Sequence, residues 1–157
     1  MKLFLDTARE KVPELNERGA RLRFLGRREH LPASVLEAME EAEVLTSGNN
    51  SLDVYIALDY GGRAEIVDAT RRIVADGLSP EDVDEMTFAS YLYAPDVPEI
   101  DLLIRTSGEL RVSNFLLWQI AYAEFYVTET LWPDFSPQEF LQALESFGSR
   151  SRRRGGV

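Results

Sequence analysis

The sequence predicts an α/β fold, a mainly parallel sheet flanked by helices. Stretches of strand length alternate with stretches of helical periodicity from one end of the chain to the other. The segment "SLDVYIAL" (51–58) is mostly apolar rather than strictly alternating, the pattern of a strand covered on both faces. Two strands run straight into turns that carry glycine and arginine ahead of a helix, "DYGGR" and "RTSGELRVS". In open parallel sheets, ligands bind in such turns beyond the carboxyl ends of strands. With 157 residues and no repeat, low-complexity tract or linker, the chain is expected to form a single domain, 1–157.

The elements follow in order. "LFLDTAREKVPELNERG" reads as a helix with Phe4, Leu5, Val12 and Leu15 on its apolar side and Gly19 closing it, although Pro13 interrupts its middle. "ARLRFLG" alternates and ends at Gly26, a strand. "LPASVLEAMEEAEVL" is a helix with Val35, Leu36, Met39 and Ala42 on one face and glutamates on the other, broken by "SGNN". After the second strand, "DYGGR" turns into the helix "AEIVDATRRIVADG", stopped by Gly77. "SPEDVDEMTFASYLY" opens with a Ser-Pro-Glu-Asp start signal and predicts another helix. "IDLLI" is a third strand, "SNFLLWQIAYA" an apolar helix buried on most sides, and "EFYVT" a fourth strand. "SPQEFLQALESFGSR" closes as a helix with Ser136 as cap and Pro137 at its first position.

Composition removes several function classes. There is no cysteine, so disulfides and Cys-ligated zinc or iron–sulfur sites are excluded. His30 is the single histidine, which rules out multi-histidine metal sites. No apolar run reaches membrane-span length and Met1–Asp6 is too short for a signal peptide, so the expectation is a cytoplasmic protein, with peripheral membrane contact left open. The net charge is −10, a field that disfavours nucleic acid as a partner. Of 17 basic residues only Lys2 and Lys11 are lysines. Arginine's planar fork suits bidentate contact with phosphate or carboxylate.

In "RTSGELRVSN", Arg105 stands where the third strand ends, Ser107-Gly108 turn the chain, and Ser113 is placed at the N-cap of the next helix. Unpaired N–H groups and a partial positive charge make a helix N-terminus a natural anion seat. With the forks of Arg105 and Arg111, the Ser113 hydroxyl and the Val112 N–H, this loop can surround one or two phosphates. The same residues also fit a plainer reading, in which Ser113 only caps the helix and the arginines pair with acidic neighbours. Glu124, a charge inside "AYAEFYV", invites a similar choice. It is either a ligand for Mg2+, which takes one or two carboxylates plus substrate phosphates, or a strand-edge group facing water. The tail "SRSRRRGG" is the one dense basic cluster, and Gly155 and Gly156 let the backbone approach a ligand closely.

The run "DLLIRTSGELRVSNFLLWQIAYAEFYVTETLWPDF" resembles the signature of the cis-prenyltransferases, the family of undecaprenyl diphosphate synthase. "ARLRFLG", "LTSGN", "LDYGGRAEIVDA" and the terminal "RRRGG" resemble further family segments in the same order, so the likeness spans the whole chain. The resemblance implies an enzyme that condenses isopentenyl diphosphate with an allylic diphosphate, using Mg2+, to build a cis-polyprenyl diphosphate. It implies that Arg105, Arg111, Val112 and Ser113 hold the diphosphate of isopentenyl diphosphate and that Glu124 helps place the metal. It also implies a homodimer in which Arg153 and Gly155, matching the family's terminal Arg-x-Gly, reach a partner's substrate. Val35, Leu36 and Met39 become candidates for the far end of an apolar tunnel, or remain core.

One family feature has no match. Cis-prenyltransferases open with a strand and an Asp-Gly-Asn-Gly-Arg-type loop that carries the allylic diphosphate and the principal metal aspartate. Here Asp6 is followed by "TARE" and Asp59 by "YGGR". The expectation is therefore the C-terminal two-thirds of the catalytic domain, with the N-terminal strands missing, no catalytic aspartate and no activity alone. The alternatives are a non-catalytic subunit of a heterodimer and, more distantly, a stand-alone anion-binding α/β module.

Overall fold

The alternation of apolar strand and amphipathic helix is realised as parallel pairing. The computed structural model describes residues 2–150. Strand β1 (Ala20–Leu25) lies parallel to β2 (Leu52–Ala57), Ala20 opposite Leu52 and Leu25 opposite Ala57. Strand β3 (Leu102–Arg105) lies parallel to β4 (Glu124–Val127), Leu102 opposite Glu124 and Arg105 opposite Val127. The helices are α1 (Lys2–Glu17), α2 (Ala33–Thr46), α3 (Gly62–Ala75), α4 (Glu85–Ser90) and α5 (Pro137–Gly148). The fold is thus α/β, with parallel sheets flanked by helices, as expected. It divides into two compact units, Met1–Ala94 and Pro95–Val157, each built around one ladder. No described helix is long and apolar enough to cross a membrane.

In the first unit, the apolar faces read from the sequence meet. Leu22 and Phe24 of β1 pack with Val35, Met39 and Ala42 of α2, and Phe4, Leu5, Val12 and Leu15 of α1 close over them. The Phe4 and Phe24 rings meet edge to face at 6.0 Å. Helix α1 runs through Pro13, whose missing N–H removes one hydrogen bond without ending it. The β1 edge away from β2 is covered by side chains of α2: the Leu22 N–H donates to Thr46 Oγ1 (3.0 Å) and the Phe24 N–H to Glu43 Oε1 (3.0 Å). These contacts take up donors that would otherwise template another strand.

In the second unit, Leu103, Leu116, Ile120 and Ala143 form the buried apolar positions. Helix α5 starts as the sequence predicts, with Pro137 in its first turn and a reciprocal cap: Ser136 Oγ accepts from the Glu139 N–H, and Glu139 Oε2 accepts from the Ser136 N–H.

Two helices differ from the sequence reading. Residues 79–93 form a 3-10 turn at Pro80–Asp82 and then α4. Ser79 spends its hydroxyl on Asp82 Oδ2 (2.7 Å), while Asp84 caps α4 by accepting the Thr87 N–H (2.7 Å). The second difference matters more. Residues 113–123 are a chain of turns, not an α-helix. Ser113, Asn114 and Leu116 have φ of 53°, 62° and 44°, left-handed values that break a helical ladder. Ser113 therefore caps no helix.

Candidate functional site

Arg105 is the last residue of β3, at the carboxyl end of a parallel pair. The turn after it has left-handed backbone at Ser107 (φ 66°) and Gly108 (φ 65°). It is fastened to the continuation of β4, with the Thr128 N–H donating to Arg105 O (2.9 Å), Ser107 N–H to Thr130 O (2.9 Å) and Gly108 N–H to Thr128 O (2.8 Å). The chain then returns so that Ser113 Oγ accepts from Arg105 Nη2 at 3.3 Å. Arg105 Nε is buried and has no hydrogen-bond partner among the described residues. A buried donor on a cation without an acceptor is costly, on the order of 1–3 kcal/mol. An anion held between Arg105 and Ser113 would remove that cost.

The remaining expected residues are dispersed. Arg111 is exposed and forms an ion pair with Glu109 at 2.8 Å. The Val112 carbonyl accepts from the Phe115 N–H (3.3 Å) inside the turn that replaces the expected helix. Glu124 sits opposite Leu102, three ladder positions from Arg105, or about 10 Å along the strands. Its Oε2 accepts from Arg150 Nη1 (2.7 Å), and the same nitrogen donates to Phe125 O (2.9 Å). Arg153 and Gly155 lie outside the described residues. No group of three acidic or histidine side chains able to hold a metal occurs among the described residues. Glu124 is a hard oxygen donor of the kind Mg2+ takes, but its Oε2 is engaged by the Arg150 guanidinium, which a bound cation would have to displace or share.

The "DYGGR" turn builds a different arrangement. Gly61 is the N-cap of α3 and Gly62 its buried first residue. One turn on, Glu65 is 1% exposed. It accepts from the Tyr60 hydroxyl and from the Tyr93 N–H. Asp68, the next turn along, accepts two bonds from Arg27 (2.8 and 3.0 Å), one from Arg71 (3.2 Å) and one from the Tyr93 hydroxyl (2.6 Å). The Arg27 fork, then the Tyr93 hydroxyl, pull the Asp68 carboxyl down to about 2 from 3.8. Burial, then Asp68, push Tyr93 up to about 12. A depressed carboxyl stabilises the fold at pH above its unfolded value, and the contribution disappears as pH falls through the folded one. Urea midpoints of the parent are therefore expected to drop between about pH 4 and pH 2 more steeply than those of Asp68→Asn. Equal slopes would contradict the network.

Between α1 and α2 runs a groove of about 290 Å3, lined by Leu5, Ala8, Val12, Ala38 and Leu45 with Glu37 and Glu41 at its border. Val35 and Met39 are 0% and 2% exposed and Leu36 packs beside them in the core, so these three do not line it. Sequence periodicity alone could not tell one side of α2 from the other.

A family model described as "Putative undecaprenyl diphosphate synthase" matches residues 1–155. The chain belongs to this family. Its curated relatives include a trans,polycis-polyprenyl diphosphate synthase of Thermobifida fusca, 50% identical over 156 residues, which cover 97% of this chain and 55% of that protein. An isoprenyl transferase of Neisseria meningitidis is 48% identical over 99% of this chain and 62% of its own length. The chain thus spans little more than half of these relatives. Among solved structures, lavandulyl diphosphate synthase from Lavandula x intermedia, in complex with dimethylallyl diphosphate, superposes with a TM-score of 0.95 at 38% identity, covering 99% of this chain and 70% of that one.

Proposed function

We propose that this chain supplies the isopentenyl diphosphate side of a cis-prenyltransferase, the β3 loop holding the diphosphate. The observation that carries the reading is Arg105 itself, whose Nε is buried without a partner among the described residues while its Nη2 reaches Ser113 Oγ. The relatives' names support it, since they are polyprenyl diphosphate synthases and isoprenyl transferases. Arg105 would take one face of the diphosphate and Ser113 would donate its hydroxyl. Arg111, held by a single exposed contact to Glu109, would exchange that partner for phosphate at little cost. Fixed in this way, the isopentenyl double bond is presented at one orientation, which turns an encounter into a positioned reaction. Glu124 would provide one ligand to Mg2+, which neutralises charge growing on a departing diphosphate. The α1–α2 groove offers an apolar seat for a prenyl chain. The terminal Arg153 and Gly155 would reach the substrate of a second subunit in a dimer, like or unlike this chain.

Nothing in the sequence matches an Asp-Gly-Asn-Gly-Arg loop. The 157-residue chain is therefore expected to bind isopentenyl diphosphate and to make no product by itself. Incubation with Mg2+, farnesyl diphosphate and labelled isopentenyl diphosphate checks this. Polyprenyl product should appear only when a segment bearing that loop is joined to the chain or added as a second subunit. Extractable product from the chain alone, or none from the completed protein, would overturn the proposal.

A further inference from the structure

Outside the β3 loop, one place in the first unit concentrates positive charge against the trend of a chain of net charge −10. A cleft of about 660 Å3 opens beside Gly26, just past the end of β1, and is lined by Arg27, Arg28, His30, Arg71, Arg72 and Tyr93, with Asp68 and Glu29 as its carboxylates. The carboxyl end of a parallel strand is where α/β sheets place ligands. We propose that this cleft is a second anion site, taking a phosphate-bearing group through Arg71 and Arg72 against a wall fixed by Arg27.

The internal ion pairs do not account for all of the arginines. Arg28 is matched by Glu43, which accepts from Arg28 Nη2 with both oxygens at 3.0 Å. Arg27 and Arg71 share the single charge of Asp68. Arg72 donates through Nε to the Asp68 carbonyl (3.3 Å) and lies 5.6 Å from the centre of the Tyr93 ring. It meets no carboxylate among the described residues. With Asp68, Glu29 and Glu43 counted against the four arginines, one positive charge is left over.

The geometry also lowers the cost of binding. Asp68 orients Arg27 through two bonds, and the Tyr93 ring and a backbone carbonyl steady Arg72, so part of the ordering cost is already met before an anion arrives. Exposed Arg71 can exchange its single contact to Asp68 for a phosphate oxygen. The planar guanidinium fork matches two oxygens of a phosphate. A diphosphate or a phosphomonoester has that chemistry, whether free in solution or on a lipid headgroup.

The test titrates inorganic diphosphate into the chain by calorimetry and, separately, sediments the chain with phosphatidylcholine vesicles prepared with and without phosphatidylglycerol. Arg71 and Arg72 are exposed on α3, so the Arg71→Ala, Arg72→Ala variant should fold, and circular dichroism verifies it. Arg18→Ala, at an exposed position in the turn after α1, controls for loss of charge alone. If the site takes soluble phosphate, the Arg105→Ala, Arg111→Ala variant retains one equivalent of bound diphosphate, and that equivalent weakens at least about tenfold when Arg71 and Arg72 are also replaced. If it takes a headgroup, sedimentation depends on phosphatidylglycerol and is lost with the Arg71→Ala, Arg72→Ala variant and not with Arg18→Ala. Diphosphate binding and vesicle sedimentation both unchanged by the Arg71→Ala, Arg72→Ala substitutions would overturn the proposal. The β3-loop reading would survive that result, because its own signal depends on Arg105.

Discussion

Replacing Arg105 by methionine is expected to weaken isopentenyl diphosphate binding roughly 100-fold while leaving the fold at least as stable. The two effects have one cause. In the free protein Arg105 Nε is buried with no acceptor among the described residues, and its Nη2 bond to Ser113 is long at 3.3 Å. Methionine keeps most of the apolar stem and removes the unsatisfied donor, so about 1–2 kcal/mol of stability should be regained. The bound state loses two charge-assisted hydrogen bonds, on the order of 3 kcal/mol, which converts to that factor in affinity. Arg105→Lys keeps the charge and lacks the fork, and should fall between, about tenfold weaker than the parent. Calorimetry and thermal melts of the same samples check both halves. An arginine that served only to hold the fold would show the opposite pattern, with lower stability and unchanged affinity.

Gly26→Ala is expected to cost at least about 3 kcal/mol, enough to lower the melting temperature by several degrees. Gly26 ends β1 with φ of 126°, a conformation that L side chains rarely adopt. A Cβ there would lie 2.0 Å from the Leu58 carbonyl oxygen. That carbonyl has little room to retreat, because the Leu58 N–H is bonded to Leu25 O (2.9 Å) and the Arg27 N–H to Asp59 O (3.2 Å). The strand end and the following loop would have to part, and with them the wall of the basic cleft. A melt within a degree of the parent would show that this junction yields more easily than its hydrogen bonds suggest.

The contrast between legible and illegible features follows the range of the interactions. Periodicity placed β1, β2, α1, α2 and α3, because their apolar faces are written in neighbouring residues. The start of α5 was equally plain, since Ser136, Pro137 and Glu139 cap it locally. The "SNFLLWQIAYA" stretch misled because an apolar run does not by itself choose a backbone. Left-handed values at Ser113, Asn114 and Leu116 win there, and only the Ser-Asn pair hinted at a turn. In the site, the strand end, the turn and the arginine all belong to one local segment, so Arg105 and Ser113 could be paired from spacing. Glu124 could not be matched with Arg150, which is 26 residues away and arrives at the end of α5. Nor could Asp68 be matched with Arg27, 41 residues off.

The most direct measurement follows the Arg105 Nε–H resonance in 15N–1H spectra while isopentenyl diphosphate is titrated into the protein. A lone buried donor that gains a phosphate oxygen should shift strongly downfield and exchange more slowly with water, in step with saturation, and Ser113→Ala should reduce the effect without abolishing it. If ligand saturates the protein while that resonance stays where it began, diphosphate is held elsewhere and the role given to the β3 loop is wrong.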